Sequence, residues 1–217
     1  MQKKNIETSG AISFKVIATR DLKFENGELS IWNVKGSIFA NAALAYLAGA
    51  INKRNMKDVA DAIYWMGYSQ AVGAVLMTTQ RFGFKNQVLD TIFSQGRILG
   101  YGIVYIKNAD LAKGEGSFSM KGSVAKEYFA LFGKADKPIC HHMRGLFAGA
   151  LGTLSKKDVV CIEEQCVAMG HPACVFSVKP LSKINKSENA KFQIPKKFPS
   201  PKELGAKEAA RQLKQSI

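Results

Sequence analysis

The stretch CIEEQCVAMGHPAC, residues 161–174, places the tightest constraint on how this chain can fold. It holds three of the four cysteines, two adjacent glutamates, a glycine and a proline. A metal site needs ligands gathered by tight turns, plus a partner from elsewhere in the chain. Cys166 and Cys174 flank a loop containing Gly170 and Pro172, which can bring two thiolates onto one cation. Glu163 precedes Cys166 by three residues, and Cys140 comes from a helix expected just before. Three thiolates and one carboxylate form a four-coordinate set that suits zinc. The spacing is not that of an ordinary finger, whose cysteines stand roughly two to four residues apart. Buried thiols packed as small hydrophobes are the alternative that spacing alone leaves open.

The compartment bears on that choice. The start, MQKKNIETSG, lacks the apolar segment and small-residue cleavage site of a secretory signal. No apolar run reaches the roughly 20 residues that span a bilayer, so no membrane span is expected. A cytoplasmic location follows as the expectation, and there neighbouring cysteines more often bind metal or do chemistry than form stable disulfides. With 217 residues, 47% hydrophobic and 10% aromatic, the chain has room for one domain with a real core plus an appendage. The charge is lopsided, 31 Lys+Arg against 17 Asp+Glu, and residues 181–217 alone carry nine basic and three acidic side chains. Such a field attracts phosphates or anionic surfaces, although a solvated charged surface accounts for it equally well.

The pattern along the chain predicts an α/β fold in the α+β sense: an antiparallel sheet packed with helices, followed by a basic C-terminal tail. Residues 11–34 read as strands or a hairpin around Glu25-Asn26-Gly27. Residues 37–53, dense in Ala and Leu and free of proline, predict a helix. Helical period continues over 58–77, with Val59, Ile63, Met66, Ala74 and Met77 on one face, and with Gly67, Ala71 and Gly73 permitting close packing or leaving space beside the aromatics. A third helix is expected over 87–94, two strands over 100–107 and 114–121, and a short helix capped by Ser123 and ended by Gly133. Residues 139–154 predict a further helix with Pro138 at its first turn, and strands over 158–164 and 173–179 flank the QCVAMGHP turn. The expected division is a ligand-binding domain over 1–180 and a lysine- and proline-rich linker or tail over 181–217, with a marginal last helix.

These residues resemble a known family. Glu163-x-x-Cys166-x-x-x-Gly170-x-x-x-Cys174-x-Phe176, preceded by Cys140-x-x-x-x-Gly145-x-x-x-Gly149, is similar to the C-terminal signature of the 4-vinyl reductase domain family. That family includes the sensor domains of phenol-responsive bacterial transcription activators, stand-alone archaeal proteins and a protein linked to bacteriochlorophyll synthesis. It is distantly related in fold to subunits of the TRAPP complex. The resemblance implies a structural zinc ion on Cys140, Glu163, Cys166 and Cys174, with four protein ligands leaving no open position for an activated water. It also places Cys161 where the aromatic-sensing relatives carry a pocket tyrosine. Ser119 stands near the position at which phenol sensors carry a tryptophan, a departure that weighs against phenol. Glu164 is expected on the opposite strand face from Glu163. His141, His142 and His171 are expected at the surface or beside the ligands rather than among them, since Cys140 and a following helical residue point about 100° apart.

The function implied is a sensor or carrier domain that binds a small hydrophobic molecule, commonly as a homodimer, and passes a signal to an attached or separate partner. Candidate pocket residues are Tyr64, Trp65, Tyr68, Tyr101, Tyr105, Phe118, Phe147 and Cys161, each of which plain core packing also explains. Two other classes are carried. One is an enzyme or accessory factor in tetrapyrrole vinyl reduction; no motif for a redox cofactor or phosphate loop is visible in the sequence, and no acid/base dyad stands out. The other is a nucleic-acid-binding regulator working through the tail, where only Phe192 and Phe198 interleave with the lysines.

Overall fold

Proline-free, alanine-rich segments become helices and β-branched segments become strands, so the elements follow the sequence pattern closely. The structure is a computed structural model that describes residues 6–7, 22–25, 28–31, 34–36, 41–82 and 87–185. Strands β1 (Ile6–Glu7), β2 (Leu22–Glu25), β3 (Glu28–Ile31) and β4 (Val34–Gly36) come first. Helices α1 (Asn41–Arg54), α2 (Lys57–Phe82) and α3 (Val88–Ile98) follow. Strands β5 (Gly102–Asp110) and β6 (Glu115–Gly122) lead into helices α4 (Ser123–Phe132) and α5 (His141–Ser155). The closing hairpin is β7 (Val159–Gln165) and β8 (Cys174–Pro180).

Among the described residues the main sheet runs β1-β5-β6-β8-β7, antiparallel throughout, and β2-β3-β4 form a second, three-stranded sheet. The hairpin expected around Glu25 is present, with Glu25 opposite Glu28. Residues 186–217, which hold most of the expected tail and its last helix, lie outside the described residues. Among those described, no helix is long and apolar enough to cross a membrane.

Helix α5 is the centre of the molecule. Every residue from Met143 to Gly152 is buried, because the sheet covers one side and α2 the other. On the sheet side, Phe147 stacks on Phe118 of β6 at 4.7 Å and packs against Phe176 of β8 at 4.8 Å. Such ring pairs add about 0.5–1.5 kcal/mol each beyond their buried area. On the other side the two helix backbones nearly touch. A methyl group added to Gly145 would fall on the Tyr64 carbonyl, and one added to Gly67 would fall on the His142 carbonyl. At Gly149 it would meet Ala71 Cβ at 3.0 Å. The glycines are therefore needed for close approach, not for turning.

That contact corrects the helix face read from hydrophobic period. Val59, Ile63, Met66, Ala74 and Met77 are not the buried stripe of α2, and Met66 is 48% exposed. The buried stripe is one position on, through Ala60, Tyr64, Gly67, Tyr68, Ala71, Val75 and Thr78. Backbone approach selects the face with small residues, and a wide apolar stripe leaves that choice open. Two helix starts also differ from expectation. Gly122, not Ser123, is the N-cap of α4. Cys140 is the N-cap of α5 and so stands just outside the helix.

Candidate metal centre and apolar cavities

Local geometry brings the acidic and sulfur side chains inward. Along a regular strand, residues three apart face opposite sides. Between Glu163 and Gln165 the pairing with β8 slips by one residue, so Glu164 is the extra residue of a bulge. The slip restores the parity: Glu163 and Cys166 are buried, and Glu164 is exposed as expected. A short 3-10 turn, Val167–Met169, then ends at Gly170, whose φ of 89° is easily adopted only without a side chain. This returns the chain to Cys174, the first inward position of β8, which alternates Cys174, Phe176, Val178 toward the core.

The fourth residue arrives from the start of α5. The Cys140 N–H donates to Glu163 Oε2 at 3.0 Å, and Cys140 Sγ lies 3.8 Å from Cys174 Sγ. One potential ligand atom from each of Cys140, Glu163, Cys166 and Cys174 lies within 4.8 Å of the other three, and all four residues are buried. A tetrahedral zinc ion with bonds of about 2.3 Å to sulfur sets its sulfurs roughly 3.8 Å apart, which matches the Cys140–Cys174 separation. Glu163 is 2% exposed, and its Oε1 has no hydrogen-bond partner. A buried carboxylate oxygen without a partner is costly and is the feature a cation would resolve.

Electrostatics point the same way. Burial, with Cys166 adding to it, lifts the Glu163 carboxyl well above the usual carboxylate range. The Cys140 thiol is pushed up by its contacts with Cys166 and Cys174 and by burial. Cys166 alone is driven down, because Cys140 and Cys174 hydrogen-bond to its sulfur. The protein by itself thus favours one thiolate among protonated neighbours, and a divalent cation supplies the charge that lets the set ionise together.

Around this cluster the histidines take supporting places. The Cys166 N–H lies 3.3 Å from His171 Nδ1, and the same nitrogen is 3.1 Å from the Cys166 carbonyl. His141 is buried, with Nδ1 3.5 Å from Arg144 Nη1. His142 Nε2 is 3.0 Å from Gln70 Oε1. None of the three belongs to the four-residue cluster.

The pocket residues expected from sequence fall into separate groups. Phe118 and Phe147 stack in the core, joined by Phe93 at 5.4 and 5.2 Å. Tyr64 and Cys161 meet: the Cys161 N–H donates to the Tyr64 hydroxyl at 3.4 Å, and Trp65 sits between Tyr64 and Tyr68 at 5.3 and 5.2 Å. Burial raises the Cys161 thiol, which makes it a poor nucleophile. Tyr105 is half-buried on β5. Tyr101 lines two apolar cavities of about 40 Å³ each. The first is bounded by Leu44, Leu47, Ala48 and Ile51 of α1 with Met143, and the second by Gln70, Ala74, Ile92 and Phe93 with the same Met143.

Sequence reasoning missed Arg144, Gln70 and Met143. Arg144 is 3% exposed; its Nε donates to the Cys161 carbonyl at 3.0 Å, and its guanidinium lies over the Tyr64 ring. Its signal was present, as the one arginine in the otherwise largely apolar run ICHHMRGLFAGALGTL. Gln70 and Met143 carried none, since their role depends on which elements meet.

Comparison with known proteins agrees with the residue pattern. Over 51 residues the chain is 39% identical to the uncharacterized protein MJ1460 of Methanocaldococcus jannaschii, a match covering 24% of this chain and 32% of that protein. Over 44 residues it is 46% identical to MJ0745 of the same organism, covering 20% of this chain and 24% of that one. The matched segments therefore span between a quarter and a third of these relatives, to the nearest such fraction. The phenol-responsive sensory domain of the transcription activator PoxR, solved with phenol, shares the fold at a TM-score of 0.70 and 22% identity, covering 84% of this chain and 96% of that domain. Residues 124–180, from α4 to the end of β8, match the model of the 4-vinyl reductase domain, and the chain carries that family's signature on the shared fold.

Proposed function

We propose that this chain is a ligand-sensing regulatory domain whose C-terminal half is fastened by one structural zinc ion on Cys140, Glu163, Cys166 and Cys174. The observation that carries the zinc assignment is the buried four-residue cluster with an unpartnered Glu163 oxygen. Three sulfurs and one carboxylate favour zinc over calcium or magnesium, which take oxygen ligands. Four protein ligands close the tetrahedron, so the ion holds structure and does not activate water. It ties the N-terminus of α5 to the β7–β8 hairpin, which are the elements that pack against Phe118 and Phe147.

The sensing half of the reading is supported by the fold shared with the PoxR sensory domain and by the apolar cavities beside α5. Phenol itself is not the ligand proposed, since Cys161 and Ser119 replace the aromatic residues implied by the resemblance. Elemental analysis of purified protein is expected to give one zinc per chain, and native mass spectrometry a retained or accepted small apolar molecule. A preparation that remains folded and metal-free after growth in zinc-replete medium overturns the zinc assignment.

A further inference from the structure

The two apolar cavities meet at one polar point. Tyr101 and Met143 line both, and neither wall contains a lysine, arginine, aspartate or glutamate. Each cavity holds about 40 Å³, whereas a cavity that accepts benzene measures roughly 150 Å³. A ring-sized occupant therefore needs both cavities and the partition between them. The partition is built to yield. Met143 is unbranched and has several rotatable bonds, and the Tyr101 ring lies against Gly96, where even an added Cβ would stay 3.7 Å away.

Hydrogen-bonding groups concentrate at that partition. The Tyr101 side chain hydrogen-bonds Gln70, Gln70 Oε1 lies 3.0 Å from His142 Nε2, and the Tyr101 and His142 rings are 5.2 Å apart. His142 lines the first cavity and Gln70 the second. Gln70 is exposed, so the junction reaches the surface and offers a way in.

We propose that the joined cavities bind a neutral, mainly apolar small molecule carrying one hydroxyl or carbonyl group, with that group seated on Tyr101, Gln70 and His142. The proposal rests on the ligand-sensing reading and adds the ligand's place and chemistry. A charged group finds no counter-ion on these walls, while a single hydroxyl finds donors and acceptors at the junction. Met143 lies three residues beyond Cys140, in the first turn of α5. An occupant that displaces Met143 pushes on the helix end that bears a metal-site residue, which couples ligand binding to the clip.

Purified full-length protein is titrated by fluorescence with 2-naphthol, 2-methylnaphthalene and 2-naphthoate, with circular dichroism confirming that each variant is folded. The naphthol binds and the naphthoate is weaker by roughly tenfold or more. Gln70→Leu and Tyr101→Phe each weaken the naphthol by roughly three- to tenfold and leave 2-methylnaphthalene unchanged. Ala74→Phe, which fills the second cavity, weakens both neutral probes. If the naphthol binds and the junction variants treat hydroxyl and methyl alike, the placement is wrong and the sensing reading stands. The same holds if no probe binds but another small molecule is retained. If nothing binds and nothing is retained, both fall.

Discussion

Replacing Glu163 by glutamine probes the metal clip with almost no change in shape. The side chain is 2% exposed, and its Oε2 accepts the Cys140 N–H at 3.0 Å, a bond that an amide oxygen can keep. What changes is the charge and the second oxygen, which has no partner in the protein. Structural zinc contributes roughly 10–16 kcal/mol in zinc-dependent peptides, so an even share for one of four ligands is about 3 kcal/mol. That corresponds to roughly a hundredfold rise in the zinc Kd. At zinc concentrations well above both dissociation constants, the unfolding free energy of the loaded protein should fall by the same ~3 kcal/mol. The chelated protein should behave differently. There the substitution swaps one unpartnered buried oxygen for an unpartnered amide nitrogen and removes a buried acid, so stability stays within about 1 kcal/mol or rises. The assay is urea unfolding of wild type and Glu163→Gln, with zinc and with chelator, beside competition titrations for zinc. Equal destabilisation in both conditions would refute the reasoning, because it would show a purely structural carboxylate.

Three further outcomes are expected. Gly145→Ala drives a methyl onto the Tyr64 carbonyl, with Tyr68 N only 2.8 Å away, so it should cost more than about 3 kcal/mol in urea unfolding and lower zinc occupancy. Cys161→Ala should keep one zinc per chain and cost only about 1 kcal/mol, since Tyr64 and Arg144 bond its backbone, whereas Cys174→Ala should lose the metal. Buried groups of the metal-free protein should oppose each other with pH. His141 is lowered from 6.5 to about 3 by burial and by Arg144 and Lys137, so its stability is present above pH 6.5 and is lost as pH falls toward 3. Burial raises Glu163 from 4.5, so its stability is present below pH 4.5 and is lost as pH rises. Each contributes up to about 1.4 kcal/mol per pH unit. Relative to wild type, His141→Gln should gain as pH drops from 6.5 to 5 and Glu163→Gln should lose; parallel curves would contradict the assignment.

Most of the metal cluster was legible because three of its four residues lie on one strand, one turn and the next strand. Glu163, Cys166 and Cys174 obey short-range rules: alternation along β8, a glycine where φ must be positive, and spacing that fits a bulge. Helix and strand identities were legible for the same reason, as alanine-rich and β-branched runs express local preference. The pocket was not. Tyr101, Gln70, His142 and Met143 come from separate segments, and no pairwise pattern along the chain marks their meeting.

The sequence alone therefore determined which side chains can form the clip and the order in which the elements run. Tertiary structure decided which face of α2 is buried, that Cys140 caps α5 from outside it, and where empty space remains. The physical reason is range. A strand's alternation or a glycine's φ is settled within a few residues, whereas Gly67 and Gly145 acquire their role only when two helix backbones close upon each other.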